Sequence, residues 1–314
     1  MRTLGGRYQL RQRIGVGGMS EVWRGHDEVL DRPVAVKLIA PGDRDDGTGV
    51  DPVERVRAEA RSAARLAHPN VTGVHDFGLS TPYPGARAPY IVMELVEGET
   101  LADRLAGGPL PWRFAVRVCA QVSAALAAAH LHGIVHQDVK PSNVMLTPTG
   151  VKVLDFGIAA SAGESDPRLD GMLLGTPAFL PPERFGGAPP APSSDMYAIG
   201  VLLYLCLAGR LPWPVDPEVW RLERYREPEP LPHIDGLPPE VADLCFECLA
   251  ADPVARPSSF VAALLLGDVV DARVYVPTVE PTALPGRVSP WNSRAAAEPT
   301  DAVAVPGHVG RHRA

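Results

Sequence analysis

The tightest constraint on this chain is a run of polar residues at fixed spacing: His136-x-Asp138-x-Lys140-x-x-Asn143, then Asp155-Phe156-Gly157. Two apolar stretches, Val144–Leu146 and Val151–Leu154, read as a pair of short strands between them. A fold for this sequence must hold both polar groups near one another on either side of a strand pair, and must bury enough apolar surface to keep them there. The composition allows it. The 314 residues are 46% hydrophobic and 21% charged, ordinary for a globular protein with a real core. A formal net charge of −7 argues against a nucleic-acid partner, since such domains carry basic patches.

The segment before the polar cluster alternates like strands. Tyr8–Gly15 and Glu21–Val29 flank a glycine cluster, and Arg32–Ile39 follows a short turn. A polar loop over Pro41–Pro52 leads to an Arg/Ala/Glu-rich helix, Val53–Ala67, which ends before His68-Pro69. Strands are expected again at Val71–Gly78 and Tyr90–Leu95. The second part is mainly helical, over Pro111–His132, Ser193–Ala208, Pro239–Ala250 and Pro257–Leu266, with Gly133 at a C-cap position. After Gly267 prolines recur without periodicity, and a flexible extension is expected. Cys245 and Cys248 form a lone C-x-x-C within a helical pattern, without the second pair of ligands that a zinc site needs, so two buried cysteines are expected. MRTLGGRYQL has no apolar core of a secretory signal, and Val261–Val270 is too short to span a bilayer, so a cytoplasmic chain without a membrane span is expected.

The chemistry suggested by the cluster is phosphoryl transfer, which asks a protein for positioning and charge stabilisation more than for covalent work. Asp138 suits accepting or orienting a hydroxyl proton, and Lys140, two residues on, suits reaching a transferring phosphate. Asn143 and Asp155 offer hard oxygen ligands for Mg²⁺. Upstream, Gly15, Gly17 and Gly18 lie between two strands, where backbone N–H groups are free to approach a phosphate. Lys37 is the only lysine before residue 140 and alternates with Val34 and Val36. An ammonium partly buried there needs a carboxylate, and of Glu54 and Glu59 on the following helix the second is expected to pair with it.

Taken together, these motifs resemble the eukaryotic-type (Hanks-type) Ser/Thr protein kinases, and among them the bacterial, actinobacterial-type members, over about residues 8–266. The resemblance implies an α+β bilobal protein-kinase fold: a small antiparallel β lobe with one helix over 1–95, a larger mainly helical lobe over 96–266, and a Pro/Ala-rich flexible tail over 267–314. It implies an ATP site of Ile14, Gly15, Val16, Gly17, Gly18, Val22, Ala35, Lys37, Glu59 and Met93, with Glu94 to Val96 as the hinge to adenine. Asp138 is then the catalytic base assisted by Lys140, with Asn143 and Asp155 on Mg²⁺, Mn²⁺ being the alternative ion. Thr176 in Gly175-Thr176-Pro177 would bridge Asp138 and Lys140, Glu183 would pair with Arg256, and Asp195 would brace the catalytic loop. The implied partners are protein substrates with Ser/Thr hydroxyls, with a homodimer as an open option.

The chain departs from the family pattern at Gln137, where most relatives have Arg. That Arg pairs with an activation-segment phosphate, and here no Thr stands between Asp155 and Gly175, only Ser161 and Ser165. The expectation is an active kinase whose control does not depend on a phosphate there. The alternative readings are a pseudokinase or ATP-binding scaffold, which would lack Lys37, Asp138, Asn143 or Asp155, and a small-molecule kinase, which would lack the Gly175-to-Glu183 segment.

Overall fold

Strand Arg32–Ile39 (β4) is apolar on both faces, and that decides the architecture of the first lobe. Val34, Val36 and Leu38 turn to one side, among Leu4, Tyr8, Leu10, Tyr90 and Val92. Ala35 turns to the other, among Val56, Ala60, Ile91 and Met93. A strand with both faces covered needs layers on each side. The chain supplies them by curling the strands Arg2–Leu4 (β1), Tyr8–Val16 (β2) and Ser20–Asp27 (β3) over one face. On the other face lies helix Pro52–Ala63 (α1). With Val74–Tyr83 (β5) and Ala86–Met93 (β6) the strands form a six-stranded antiparallel sheet in the order β1-β2-β3-β4-β6-β5. The computed structural model describes residues 2–17, 20–40, 51–83, 86–156, 177–213 and 226–277. Gly18, Gly157, Ser161, Ser165, Gly175, Thr176 and the chain from Thr278 lie outside the described residues.

Several expected boundaries shift for identifiable reasons. Helix α1 starts at Pro52, with the Asp51 side chain accepting from Val53 N, and ends at Ala63, four residues before the expected Ala67. Residues 70–73 do not begin strand β5. They pair instead with the second lobe, with Val71 bridging Val153 and Thr72 N donating to Val153 O at 3.0 Å.

The second lobe is built round helices that are buried on nearly all sides. Trp112–Leu131 (α3) ends where expected, with Gly133 in the left-handed region at φ 71°. It is long and apolar enough to cross a membrane, but two thirds of that apolar window, 67%, is packed inside the fold. Pro192–Ala208 (α5) carries Tyr197, Tyr204, Leu202 and Leu203 fully buried. Around them lie the short helices Leu101–Leu105 (α2) and Pro182–Phe185 (α4), then Pro239–Cys248 (α6) and Ser259–Val269 (α7). A small sheet of Glu99–Thr100 (β7), Val144–Thr147 (β8) and Gly150–Val153 (β9) lies between the two polar motifs, as the sequence suggests. Cys245 and Cys248 are buried, and burial raises both thiol pKa values, that of Cys248 to about 12. Inert core residues are the result.

The packed chain continues beyond residue 267. Helix α7 runs to Val269, and the chain then turns at Asp271 (φ 48°). Ala272 and Val274 return to the large core. Ala272 N donates to Gly267 O at 2.9 Å, and a side chain at Gly267 would meet Val274 Cγ2 at 3.1 Å. The compact unit therefore reaches Pro277. The prolines of this region hide a contact that is long-range in the fold.

Helices α5 and α6 meet at Gly200, where an added Cβ would lie 2.8 Å from Cys248 Cβ and 3.0 Å from Leu249. The nearest of these atoms, Cys248 Cβ, is fixed to its backbone and cannot swing away. Gly200→Ala should destabilise the protein by about 1–3 kcal/mol through overpacking, read as a lower denaturation midpoint with unchanged slope.

Candidate active site

Asp195 organises the loop that carries the polar cluster. It stands in the first turn of α5, 1% exposed. Its Oδ2 accepts from His136 N at 2.8 Å, and its Oδ1 accepts from Gln137 N at 2.8 Å. His130 Nε2 at 2.8 Å from Oδ2 completes the set, and His130 Nδ1 lies 2.8 Å from Ser259 Oγ on α7. A buried carboxylate with this many donors is a strong, charge-assisted anchor. It holds Gln137 at φ 68°, a left-handed conformation that costs a residue with a side chain about 1–3 kcal/mol and persists only where the surroundings over-determine it.

His136 joins this loop to the next motif. Its Nε2 donates to Leu154 O at 2.8 Å, its Nδ1 accepts from Asp138 N at 3.2 Å, and its ring meets Phe156 edge-on, 4.6 Å between centroids. Leu154 N donates to Asn143 O at 2.9 Å. These bonds set Asp155, at φ 57°, beside the catalytic loop.

Within the loop, Asp138 Oδ2 lies 2.7 Å from Lys140 Nζ and accepts from Asn143 Nδ2 at 2.9 Å. Asn143 Nδ2 also donates to Asp138 O at 2.8 Å. With that nitrogen engaged on Asp138, Oδ1 is the Asn143 atom available to a cation. Asp155 adds a carboxylate. Among the described residues no group of three His, Cys, Asp or Glu side chains converges. One amide oxygen and one carboxylate fit a small hard cation such as Mg²⁺, which keeps water and substrate oxygens for its remaining positions.

The residues expected to hold a nucleotide lie mostly in the first lobe. Lys37 is 6% exposed, opposite Val22 on β3 and Ile91 on β6. Ala35 pairs with Met93, and Val22 packs with both, so the expected adenine-pocket residues form one apolar group. Ile14 and Val16, 49% and 69% exposed, stand on the glycine hairpin. That hairpin closes with Gly17 N donating to Ser20 O at 2.7 Å. Glu94 and Val96 follow β6, with Glu94 N donating to Gly73 O at 2.8 Å.

One expected contact is not made. Lys37 pairs with Asp155, Nζ to Oδ1 3.0 Å, and not with Glu59. Glu59 Oε2 is buried without a hydrogen-bond partner. Burial pushes the Glu59 pKa up to about 8, with Arg55 and Lys37 opposing only in part. A carboxyl that holds its proton at neutral pH exerts little pull on an ammonium, whereas Asp155 meets Lys37 at hydrogen-bonding distance.

Downstream, Arg256 forms the expected pair with Glu183, bidentate at 2.7 and 2.8 Å, and also donates to Ala250 O and Ser193 O. Sequence reasoning missed Lys152, whose Nζ lies 2.8 Å from Glu94 Oε2 and 3.3 Å from Val71 O. It missed His130 as well. Neither belongs to a recognisable motif, and a lone Lys on a short strand carries no local signal.

Comparisons with known proteins identify the family. Residues 8–266 match the protein kinase domain family. Over 296 residues the chain is 39% identical to the serine/threonine-protein kinase PknA of Mycobacterium tuberculosis, covering 92% of this chain and 67% of PknA. It is 37% identical to PknL of the same organism over 82% of this chain and 64% of PknL. Identity to PksC of Streptomyces coelicolor is 37%, over 80% of this chain and 47% of PksC. The chain belongs to the protein kinase family, in its bacterial serine/threonine branch. That family works on ATP with a divalent metal ion. The chain spans between about half and two thirds of the length of these relatives.

Two outcomes follow from the buried carboxyls. The Glu59 pKa is higher folded than unfolded, so the folded state is favoured most below the unfolded value of about 4.3. It loses that advantage as pH rises to about 8. Glu59→Gln removes the titration, so its melting temperature should gain on wild type between about pH 5 and pH 8 and hold the gain above. A constant difference across that range would show that Glu59 is ionised throughout. Asp195→Asn should strand one loop N–H and cost about 1–3 kcal/mol in denaturant unfolding.

Proposed function

We propose that this chain transfers the γ-phosphoryl group of ATP to Ser or Thr hydroxyls of protein substrates, and that it does so without needing a phosphate on its activation segment. The observation that carries the reading is the meeting of Lys37, Asp138, Lys140, Asn143 and Asp155 in one site, with none of the four residues that a pseudokinase loses replaced. Asp138 orients the incoming hydroxyl and takes its proton, with Asn143 Nδ2 fixing the carboxylate. Lys140, at 2.7 Å from Asp138, offsets charge on the transferring group. Asn143 and Asp155 would hold Mg²⁺, with Mn²⁺ as the alternative, and the bound ion would neutralise triphosphate charge. Lys37 serves the α- and β-phosphates once its ammonium is shared with them. This chemistry belongs in the cytoplasm, where ATP is held.

The independence from activation-segment phosphate rests on Gln137. Its backbone is held by Asp195, so the loop keeps its form without a cation in the side chain. A neutral amide beside Asp138 makes no demand for an opposing dianion, whereas an Arg there would. The same hollow is lined by Gln137, Asp138, Phe179 and Arg184. The Arg184 guanidinium, bonded to Ala188 O, is the cation that would have to take over a phosphate latch if one existed.

Asp138→Asn should lower the rate about 10²- to 10⁴-fold while leaving ATP affinity nearly unchanged. Asp155→Ala should abolish Mg²⁺-dependent turnover. Equal labelled-ATP turnover in wild type and both variants would overturn the assignment. Phosphatase treatment of the wild type should reduce the initial rate on a generic Ser/Thr substrate less than about threefold, well short of the tenfold that corresponds to about 1.4 kcal/mol. A tenfold loss that Arg184→Gln also produces would assign the latch to Arg184.

A further inference from the structure

Beyond helix α7 the chain runs over Ala272–Pro277 outside any helix or sheet. Ala272, Val274 and Val276 are half-buried while Arg273 and Tyr275 face out, the alternation of a strand laid on a surface. Ala272 and Val274 rest on the large core. The Tyr275 ring is 62% exposed, and what this residue contributes is its carbonyl, which accepts from His68 Nε2 at 2.6 Å.

His68 sits between this strap and the site. Its Nδ1 accepts from Asn70 N at 3.1 Å. Only the neutral Nε2–H tautomer satisfies both bonds, and burial lowers the His68 pKa, with the Tyr275 carbonyl opposing and the Lys152 cation assisting. Asn70 then grips β9: its Nδ2 donates to Val151 O and its carbonyl accepts from Val153 N, both at 2.8 Å. Thr72 adds bonds from its N and Oγ1 to Val153 O, each 3.0 Å. Strand β9 ends two residues before Asp155. The same loop touches the hinge, since Lys152 Nζ bonds both Val71 O and Glu94 Oε2.

We infer that His68 is a positioning residue for phosphoryl transfer, set by the carbonyl of the Ala272–Pro277 strap and acting through Asn70 on the strand that delivers Asp155. The inference rests on the reading of Asp155 as a metal ligand, and its physical part stands apart from that reading. Without the strap the imidazole loses the acceptor that fixes its ring. The Asn70 N–H then loses its partner, and β9 loses one side of its support. An effect of this kind falls on the geometry of the metal ligand and not on the adenine pocket, so it alters turnover more than nucleotide binding.

The full chain tests this with variants at both ends of the contact. His68→Asn places an amide oxygen where Nδ1 lies, keeps an acceptor for Asn70 N and cannot reach Tyr275. His68→Gln places a donor where Nε2 lies and keeps the strap, but offers Asn70 N no acceptor. Val274→Asp dislodges the strap without touching His68. Amide hydrogen exchange across residues 70–73 and 151–154 is the first readout, because it does not depend on activity. Val274→Asp and His68→Gln should speed exchange there about tenfold, leave α5 protected, and lower kcat about three- to tenfold with the KM for ATP within about twofold. His68→Asn, which supplies the Asn70 acceptor without the strap, should keep most of the exchange protection and of kcat, and Val274→Asp added to His68→Asn should lower kcat no further. Unchanged exchange in Val274→Asp and His68→Gln, or equal damage from Asn and Gln at position 68, would overturn the inference. If Val274→Asp melts the whole fold, the contrast between the two His68 variants decides alone. Changed exchange without changed turnover would leave the strap in place and refute the role in catalysis.

Discussion

The carboxylate of Asp195 is the interaction on which the rest of this molecule depends. It accepts the backbone N–H groups of His136 and Gln137 and the ring of His130. In doing so it fixes a loop whose backbone enters the left-handed region at Gln137, a residue with a side chain. Burying a carboxylate is unfavourable unless its oxygens are fully bonded. The helix that carries Asp195 is buried on nearly all sides, so it cannot shift to relieve a lost bond. This buried helix thus presents its only first-turn acid to the loop that carries Asp138.

The two lobes are coupled at two kinds of contact. Lys37 and Asp155 join them through charge, an arrangement that a nucleotide would share and rearrange. Residues Asn70–Gly73 join them through backbone bonds to β9 and to Glu94. Such bonds hold a fixed distance whatever occupies the site. Glu59 stands near the first kind of contact but is unengaged, with its proton retained by burial. A carboxyl in that state has little electrostatic hold on helix α1, so the helix is positioned chiefly by Val56, Ala60 and Ala63 packing on the sheet.

The substitution at Gln137 changes what the loop needs from its surroundings. The backbone is secured from behind by Asp195, so the side chain is left with no structural duty that calls for charge. The acid beside it, Asp138, is already balanced by Lys140. The proposed independence from an activation-segment phosphate rests on that local balance of charge.

What the sequence determined by itself was the fold class, the strands β2 to β6 up to shifts of boundary, and the nearness of Asp138, Lys140 and Asn143 to one another. These are encoded locally: period-two alternation for the strands, glycine at the hairpin, and fixed spacing from His136 to Asn143. The Glu183–Arg256 pair was also legible, because its motif partners are themselves regular. Tertiary structure alone decided that Lys37 bonds Asp155 and that burial raises the Glu59 pKa, since the balance between desolvation and attraction depends on which carboxyl keeps water and which keeps donors. It alone revealed the bonds of Lys152 to Glu94 and of His130 to Asp195. It also carried the packed chain past Gly267 to a backbone carbonyl at Tyr275. Every residue has a carbonyl, so no sequence pattern marks the one that a distant histidine will use. Only the path of the chain across the core does.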